Sequence, residues 1–382
     1  MVALVARPGP GRGRIVVVTP ALDAKGGISR VNALYQRIGL FGAHENGLEV
    51  RLHPSTIDGG IAAKALFSAW QLLRFAFTPL PRPVIVHLHA SWHSSFWRKM
   101  AYAWVSWWKG ARVLMHIHPT YFTDFYESGG PLRQRAIRAT IRRCQAVMVL
   151  TEEMAAKLGA IAPGCKVHVM PNPVDLDEFG AQPAPSRGPA TVLFLGWFVP
   201  GKGAYDLLEA LASVHAHRPG LRAVFGGCKQ EDQLRERVRT LGLAGSVEVA
   251  GWCGRAEVVR LLRTCTLFAL PTYSEGIPMV LLEAMACGTP VVTCPVGGIP
   301  AVARDGRNAL FVRPGDVGSL AAAIERLLDD PALREAMSQA NREDVRRYDV
   351  RTLGASLLEI YAELAGVGGS GSFERDGRGD ER

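Results

Sequence analysis

Short β-branched runs alternate along this chain with longer stretches whose apolar positions recur every three to four residues. The runs at 15–19, 84–88, 113–117, 146–150 and 167–170 are the length of buried strands, and amphipathic segments separate them. This is a βα rhythm. It breaks in a Gly/Pro-rich stretch from Gly180 to Pro189, which continues neither a helix nor a strand. A second βα series follows at 192–195, 221–225, 247–250, 267–270 and 291–293. Helical periodicity then predicts a pair of helices over 317–328 and 331–348 and a last apolar helix over 353–364. The pattern predicts an α/β fold of two doubly wound, Rossmann-like domains. It divides the chain into a leader (1–13), an N-terminal domain (14–180), a linker (181–190) and a C-terminal domain (191–345). A C-terminal helix (346–365), free to return to the first domain, and a disordered Gly/Ser/charged tail (366–382) complete it. Ligands of such folds sit beyond the carboxyl ends of the strands, so the expected site is a cleft between two facing sheets.

Composition narrows the classes. With 382 residues and 48% hydrophobic content the chain can bury real cores, which excludes disorder as its main state. Seven cysteines, odd in number and without a CxxC pair, support neither a zinc ribbon nor a disulfide framework and fit a reducing cytoplasm. The leader lacks the apolar run of a secretion signal, and Lys64, Gln71 and Arg74 interrupt the longest apolar stretch, 61–80, so no membrane span is expected. The net charge is +9, and residues 1–180 hold all of the excess, at +10 against −1 for the rest. A basic half-molecule points to an anionic partner. No nucleic-acid-reading fingerprint is present, so nucleic acid is not expected.

The most informative stretch runs from Pro271 through Glu275, Gly276, Ile277, Pro278, Met279 and Glu283 to Pro290. Pro278 fits the first position of a helix over 277–287 that Gly288 ends. The helix start, with its unpaired amides and positive dipole end, then forms an anion site beside Glu275 and Gly276. Glu283 falls on an apolar helix face, where a carboxylate needs a polar partner such as a ribose diol. From pattern alone, Glu275 is equally well a helix cap and Glu283 an ordinary exposed residue.

The sequence EGIPMVLLEAMACGTPVV, with Glu275 and Glu283 as its acidic pair, resembles the signature of glycosyltransferase family 4, a group of retaining, sugar-nucleotide-dependent transferases with a GT-B fold. Other stretches resemble the family in the same order. Gly26-Gly27-Ile28 is similar to its glycine loop facing the donor phosphates, and Pro171 to Asp175 to the segment closing its first domain. The stretch from Phe194 through Gly196 to Lys202 and Gly203 resembles the opening of the second domain, where the Lys binds the diphosphate. Pro295 to Pro300 and Asp305 to Asp316 resemble its later loops. The resemblance implies a donor-binding C-terminal domain and an acceptor-side N-terminal domain. It implies donor contacts from Gly26, Gly27, Gly196, Trp197, Lys202, Glu275, Gly276, Ile277, Pro278, Met279 and Glu283, with Lys202, Glu275 and His118 at the reacting centre.

Three positions depart from the family pattern. Trp197 stands where an Arg shares the diphosphate with the Lys, Ala301 where a Glu follows GGIP, and Pro119 where a Gly follows the strand histidine. That histidine is His118, in a strand resembling the one whose His contacts the donor sugar near the reacting carbon. His87, His89, His116 and His118 all lie at the carboxyl ends of predicted strands. An HxH pair can bind metal, but no carboxylate or Cys stands at ligand spacing, so buried core histidines are the expectation and no metal or other cofactor is called for. The family's mechanism needs few proton movers: the diphosphate leaves, and the acceptor attacks on the same face through an oxocarbenium-like state.

Trp97, Met100, Trp104 and Trp108 are spaced on one face of a predicted helix with Arg98, Lys99 and Lys109 alongside, and Phe67, Trp70, Leu73, Phe75 and Phe77 form a second cluster by Arg74. Aromatics with bases suit a headgroup boundary, although a core helix shows the same stripe. With the basic first half, they predict peripheral attachment to the anionic inner face of the plasma membrane. A lipid-linked or oligosaccharide acceptor follows, with a UDP- or GDP-sugar as donor. HLHASWHSSFWRK and HIHPTYFTDFYE resemble bacterial members of capsular or exopolysaccharide assembly. Two other readings stay open: a sugar-nucleotide epimerase on a similar fold, and a degenerate module that binds nucleotide or membrane without catalysis.

Overall fold

The computed structural model describes residues 13–80, 84–119, 121–180 and 190–366. The expected leader, linker and tail therefore lie outside the described residues, except for Gly13, Ala190 and Gly366. The chain divides into two compact units. The first takes residues up to Pro171 together with those from Val350 on, and the second takes Asn172–Asp349.

The N-terminal unit runs through β1 (Arg14–Thr19), α1 (Gly27–Arg37), β2 (Gly42–Ala43), β3 (Glu49–Pro54), α2 (Ile61–Phe77), β4 (Val84–Ala90) and α3 (Ser94–Trp108). It continues with β5 (Arg112–Ile117), α4 (Phe122–Glu127), α5 (Pro131–Arg143), β6 (Ala146–Val149), α6 (Glu152–Ile161) and β7 (Val167–Val169). Among the described residues its sheet has the order β2-β3-β1-β4-β5-β6-β7, parallel except for the β2–β3 pair. The chain leaves β1 first toward β3 and then toward β4, so the topological switch point lies between β1 and β4. Residues 84–90 of β4 are buried throughout, as expected of a central parallel strand covered on both faces.

The C-terminal unit contains α7 (Leu176–Gly180), β8 (Thr191–Trp197), α8 (Ala204–His217), β9 (Arg222–Cys228), α9 (Glu231–Thr240), β10 (Val247–Gly251), α10 (Arg255–Thr264) and β11 (Leu267–Leu270). Then come α11 (Met279–Ala286), β12 (Val291–Thr293), α12 (Ile299–Val302), β13 (Leu310–Phe311), α13 (Val317–Asp329) and α14 (Pro331–Asp344). Its sheet, with the order β10-β9-β8-β11-β12-β13, is parallel throughout and has its switch point between β8 and β11.

The changeover at Pro171/Asn172 precedes the expected boundary at 180/181. Val174 pairs with Asp349 as an isolated bridge, and the Val174 amide donates to the Tyr348 carbonyl, so this segment already belongs to the second unit. The last helix, α15 (Val350–Ala365), belongs to the N-terminal unit, where the Tyr361 hydroxyl lies 2.6 Å from His87 Nδ1. It begins four residues later than the sequence boundary at 346, because residues 345–348 form a short 3-10 turn. Among the described residues, no helix is long and apolar enough to cross a membrane.

Candidate functional site

In the C-terminal unit three loops at the carboxyl ends of adjacent strands are tied together. After β8 the chain makes a 3-10 turn over Pro200–Lys202 and reaches Gly203 at φ +71°. A Cβ on Gly203 would stand 2.0 Å from the Pro271 carbonyl oxygen, so only glycine lets this loop approach the one after β11 so closely. The Tyr273 amide and the Thr272 hydroxyl both donate to the Gly201 carbonyl, at 3.1 and 3.2 Å. The loop after β12 joins them through the Gly298 amide, which donates to the Gly276 carbonyl at 3.0 Å.

Lys202 Nζ meets Glu275 Oε1 at 2.5 Å, so the expected phosphate cation and the expected sugar-binding carboxylate form one ion pair. Burial pushes the Glu275 carboxyl up from its ordinary range, and the Lys202 charge and hydrogen bond oppose that shift. Gly276, Ile277 and Pro278 lead from Glu275 into α11. Pro278 is the N-cap, with extended backbone at ψ 125°, so α11 starts at Met279 and not at the expected 277. The Asn172 side-chain amide donates to the Ile277 carbonyl at 2.7 Å and pins this entry. Gly288 ends the helix in the left-handed conformation, at φ +65°.

Glu283 is buried at 6% exposure, so it is not an ordinary surface residue. Its partner within the chain is Arg255 at the start of α10, whose Nη1 lies 2.7 Å from Glu283 Oε1 while Nη2 lies 2.6 Å from Glu178 Oε2. The sequence did not reveal Arg255, which stands 28 residues from Glu283 and 77 from Glu178. Trp197, at the end of β8, is 42% exposed, with Lys229 Nζ 5.5 Å from its ring centroid. Trp197 pairs in register with Cys228, which places Lys229 one residue beyond, at a positive φ of 75°. A base therefore stands beside the position that departs from the family pattern. The sequence signal was a Lys just past a Gly-Gly-Cys strand end, which does not by itself indicate where the amine goes.

In the N-terminal unit, Gly26 caps α1 and Gly27 opens it just after β1, with open space where each Cβ would be. His118 follows β5, and its Nε2 lies 2.9 Å from His89 Nδ1. Lys99 does not flank an exposed aromatic face as expected. It is fully buried, donates to the Ser55 hydroxyl, and has its pKa driven well down by desolvation and then by Arg98. Lys109 is likewise turned inward, donating to the Phe75 and Ala76 carbonyls at 2.8 and 2.9 Å at the end of α2. Of the aromatic stripe on α3, Trp104 and Trp108 are exposed, while Phe96 and Tyr102 on the opposite side fill the core. Phe75 of the second cluster is buried, but Ile61, Leu66, Trp70, Leu73 and Phe77 line an exposed apolar face of α2.

Two family models match consecutive stretches: "Glycosyltransferase Family 4" over residues 13–178 and "Glycosyl transferases group 1" over residues 177–344. Among curated relatives, the glycogen synthase of Mycobacterium tuberculosis (strain CDC 1551 / Oshkosh) is 30% identical over 52% of this chain and 49% of its own. The phosphatidyl-myo-inositol mannosyltransferase of Mycobacterium leprae is 32% identical over 58% of this chain and 60% of its own. The chain thus spans about half to three-fifths of the length of these relatives. Among solved structures, sucrose-phosphate synthase from Thermosynechococcus elongatus superposes with a TM-score of 0.72 at 19% identity, covering 94% of this chain and all of that one. Anabaena Alr3699/HepE in complex with UDP and glucose gives 0.70 at 18%, covering 92% and 99%. These likenesses establish the fold as two Rossmann-like units of the GT-B type.

Proposed function

The chain belongs to glycosyltransferase family 4, and from that premise we propose that it transfers a sugar from a UDP- or GDP-sugar to a hydroxyl of a glycan acceptor, with retention at the anomeric carbon. The observation that carries this reading is the Lys202–Glu275 pair, held by three interlocked loops at the switch point of the C-terminal sheet, with Glu283 buried on the helix behind it. The Anabaena relative with 18% identity was solved with UDP and glucose, which favours a nucleotide-sugar donor here.

In this reading the bond from the anomeric carbon to the diphosphate oxygen breaks as the acceptor oxygen attacks the same face, and the acceptor proton passes to the departing diphosphate. Charge accumulates on that oxygen, and Lys202, Lys229 beside Trp197 and the amides opening α11 are the groups that stabilise it. Transfer then needs no metal at the diphosphate. Glu275 holds sugar hydroxyls, Glu283 the ribose, and Gly196, Gly276, Ile277, Pro278 and Met279 shape the backbone around them. Gly26, Gly27 and His118, at the carboxyl ends of β1 and β5, carry the donor contacts that the family resemblance gives the N-terminal unit.

The exposed apolar face of α2, with Ile61 at 90% and Phe77 at 83% exposure and Lys64 and Arg74 alongside, supports attachment to an anionic inner membrane surface and hence a lipid-linked acceptor. This is the role expected of a polysaccharide-assembly transferase.

A thermal-shift panel of UDP, GDP, ADP and their sugars, with and without magnesium, tests donor binding, since a ligand of the folded state raises the midpoint by mass action. The expected result is a magnesium-independent shift with one nucleotide series, followed by an α-linked product from the α-configured donor. Donor turnover without acceptor identifies an epimerase, and a shift without any product identifies a non-catalytic binder; either overturns the transferase reading.

A further inference from the structure

β4 and β5 are parallel neighbours in a register that sets His89 directly opposite His116. Strand alternation puts His87 on the face of His89 and His118 on the face of His116, so four imidazoles gather beside the N-terminal switch point. Their ring centroids lie 4.3 Å apart for His87 and His89, 5.1 Å for His89 and His116, and 4.0 Å for His116 and His118. The cluster grades from full burial at His87 to 9% exposure at His118.

Such a cluster leaves polar atoms to be accounted for. His87 Nε2 is buried without a partner at hydrogen-bond geometry, and His116 has the Met170 backbone beside one ring nitrogen, which leaves its other nitrogen without one. An orphaned nitrogen in a core costs on the order of 1–3 kcal/mol, so two in one cluster call for a ligand. One nitrogen each from His87, His89 and His116 lie within 4.8 Å of one another. Nitrogens on a tetrahedral zinc are about 3.3 Å apart, given Zn–N distances of roughly 2.0–2.1 Å, and modest ring rotations cover the difference.

We propose that His87, His89 and His116 form a buried three-histidine site for a divalent first-row metal of the zinc type. Three neutral imidazoles leave a fourth position for water, the ligand set of an open tetrahedral centre. The outer partners fit as well. A ligating histidine turns its second nitrogen to a hydrogen-bond partner that fixes its tautomer, and His87 Nδ1 already meets Tyr361 Oη at 2.6 Å, while His89 Nδ1 meets His118 Nε2 at 2.9 Å.

The site has a defined consequence. Metal on His89 Nε2 leaves His89 Nδ1 carrying a proton, so His89 becomes the donor and His118 Nε2 the acceptor. His118 is then held as the Nδ1–H tautomer, and the last helix, through Tyr361, is tied to the same centre.

The experiment uses the untagged full chain, stripped with a chelator and titrated with Co2+ and Zn2+. One equivalent of Co2+ with the visible d–d bands of a four-coordinate nitrogen/oxygen site is expected, together with a Zn2+-dependent rise in melting temperature. His116→Ala and His87→Ala should each weaken binding at least about 100-fold, Tyr361→Phe about 10-fold, and the exposed-site control His217→Ala not at all. A folded wild type that binds no equivalent of either metal overturns the proposal and leaves water as the partner of these nitrogens; so does binding that survives His116→Ala unchanged. If the histidine variants fail to fold, X-ray absorption on the zinc-loaded wild type decides, because a first shell with fewer than three imidazoles also overturns it.

Discussion

Two sites, one in each unit, solve the same problem, an ionisable group in a core, in opposite ways. In the N-terminal unit His87, His89, His116 and Lys99 are buried and are driven toward their neutral forms by desolvation. In the C-terminal unit Glu283 is ion-paired with Arg255, and Glu275 with Lys202. A base that sheds its proton needs no counter-charge, and its neutral nitrogen is free to coordinate. A paired charge keeps its field, which is what a site for a charged ligand requires.

Removing the pairing should have the largest effect. Arg255→Met leaves Glu178 and Glu283 facing each other without their shared cation and is expected to cost about 3–5 kcal/mol, read from urea unfolding. A loss under about 1 kcal/mol would class this pair with ordinary surface ion pairs and erase the contrast. Adding Glu283→Gln should recover part of the loss.

Acid should break the other unit next. His53, packed against Phe75 and Tyr102, has its pKa lowered to about 4, chiefly by burial. Below pH 6.5 the unfolded chain takes up a proton that the folded chain refuses until about pH 4. The stabilisation is therefore complete above pH 6.5 and is lost as pH falls through this window, by roughly 3 kcal/mol for the single group. The measurement is the difference in pH slope between the wild type and His53→Gln; equal slopes would remove His53 from the neutralised class.

Catalysis tests whether the retained charge is used. Lys202→Ala should lower kcat/KM about 100-fold, close to 2.7 kcal/mol, with melting temperature nearly unchanged. Unchanged kinetics would relegate the Lys202–Glu275 pair to a structural tie. The smallest change expected is a gain: Trp197→Arg adds a fixed cation beside Lys229 and should tighten nucleoside diphosphate binding up to about 10-fold by calorimetry. No gain would mean that Lys229 already supplies that charge.

Much of this was legible in the chain. The strands at 267–270 and 291–293 coincide with β11 and β12, because uninterrupted apolar runs between turn residues leave little choice. β3 was missed, since Glu49, Arg51 and His53 interrupt its apolar pattern and Pro54 ends it; Arg14 and Arg51 form ion pairs with the Glu49 carboxylate there. The two-residue β13 is too short for any periodicity to register. The Glu275 to Glu283 stretch was legible because its residues share one loop and one helix. Arg255, Lys229 and Asn172 were not, because they reach the site from other elements.

By itself the sequence determined the two βα series, the helix that follows Glu275 and the family that its motifs resemble, since all of these depend on neighbours in the chain. Only the tertiary structure decided which buried groups are paired and which are neutralised. Two HxH motifs 29 residues apart become one cluster when parallel strands come into register, and a carboxylate finds its cation when a separate helix delivers it. Desolvation and Coulomb energy depend on distance in space and on the water excluded from it, and neither is encoded in spacing along the chain.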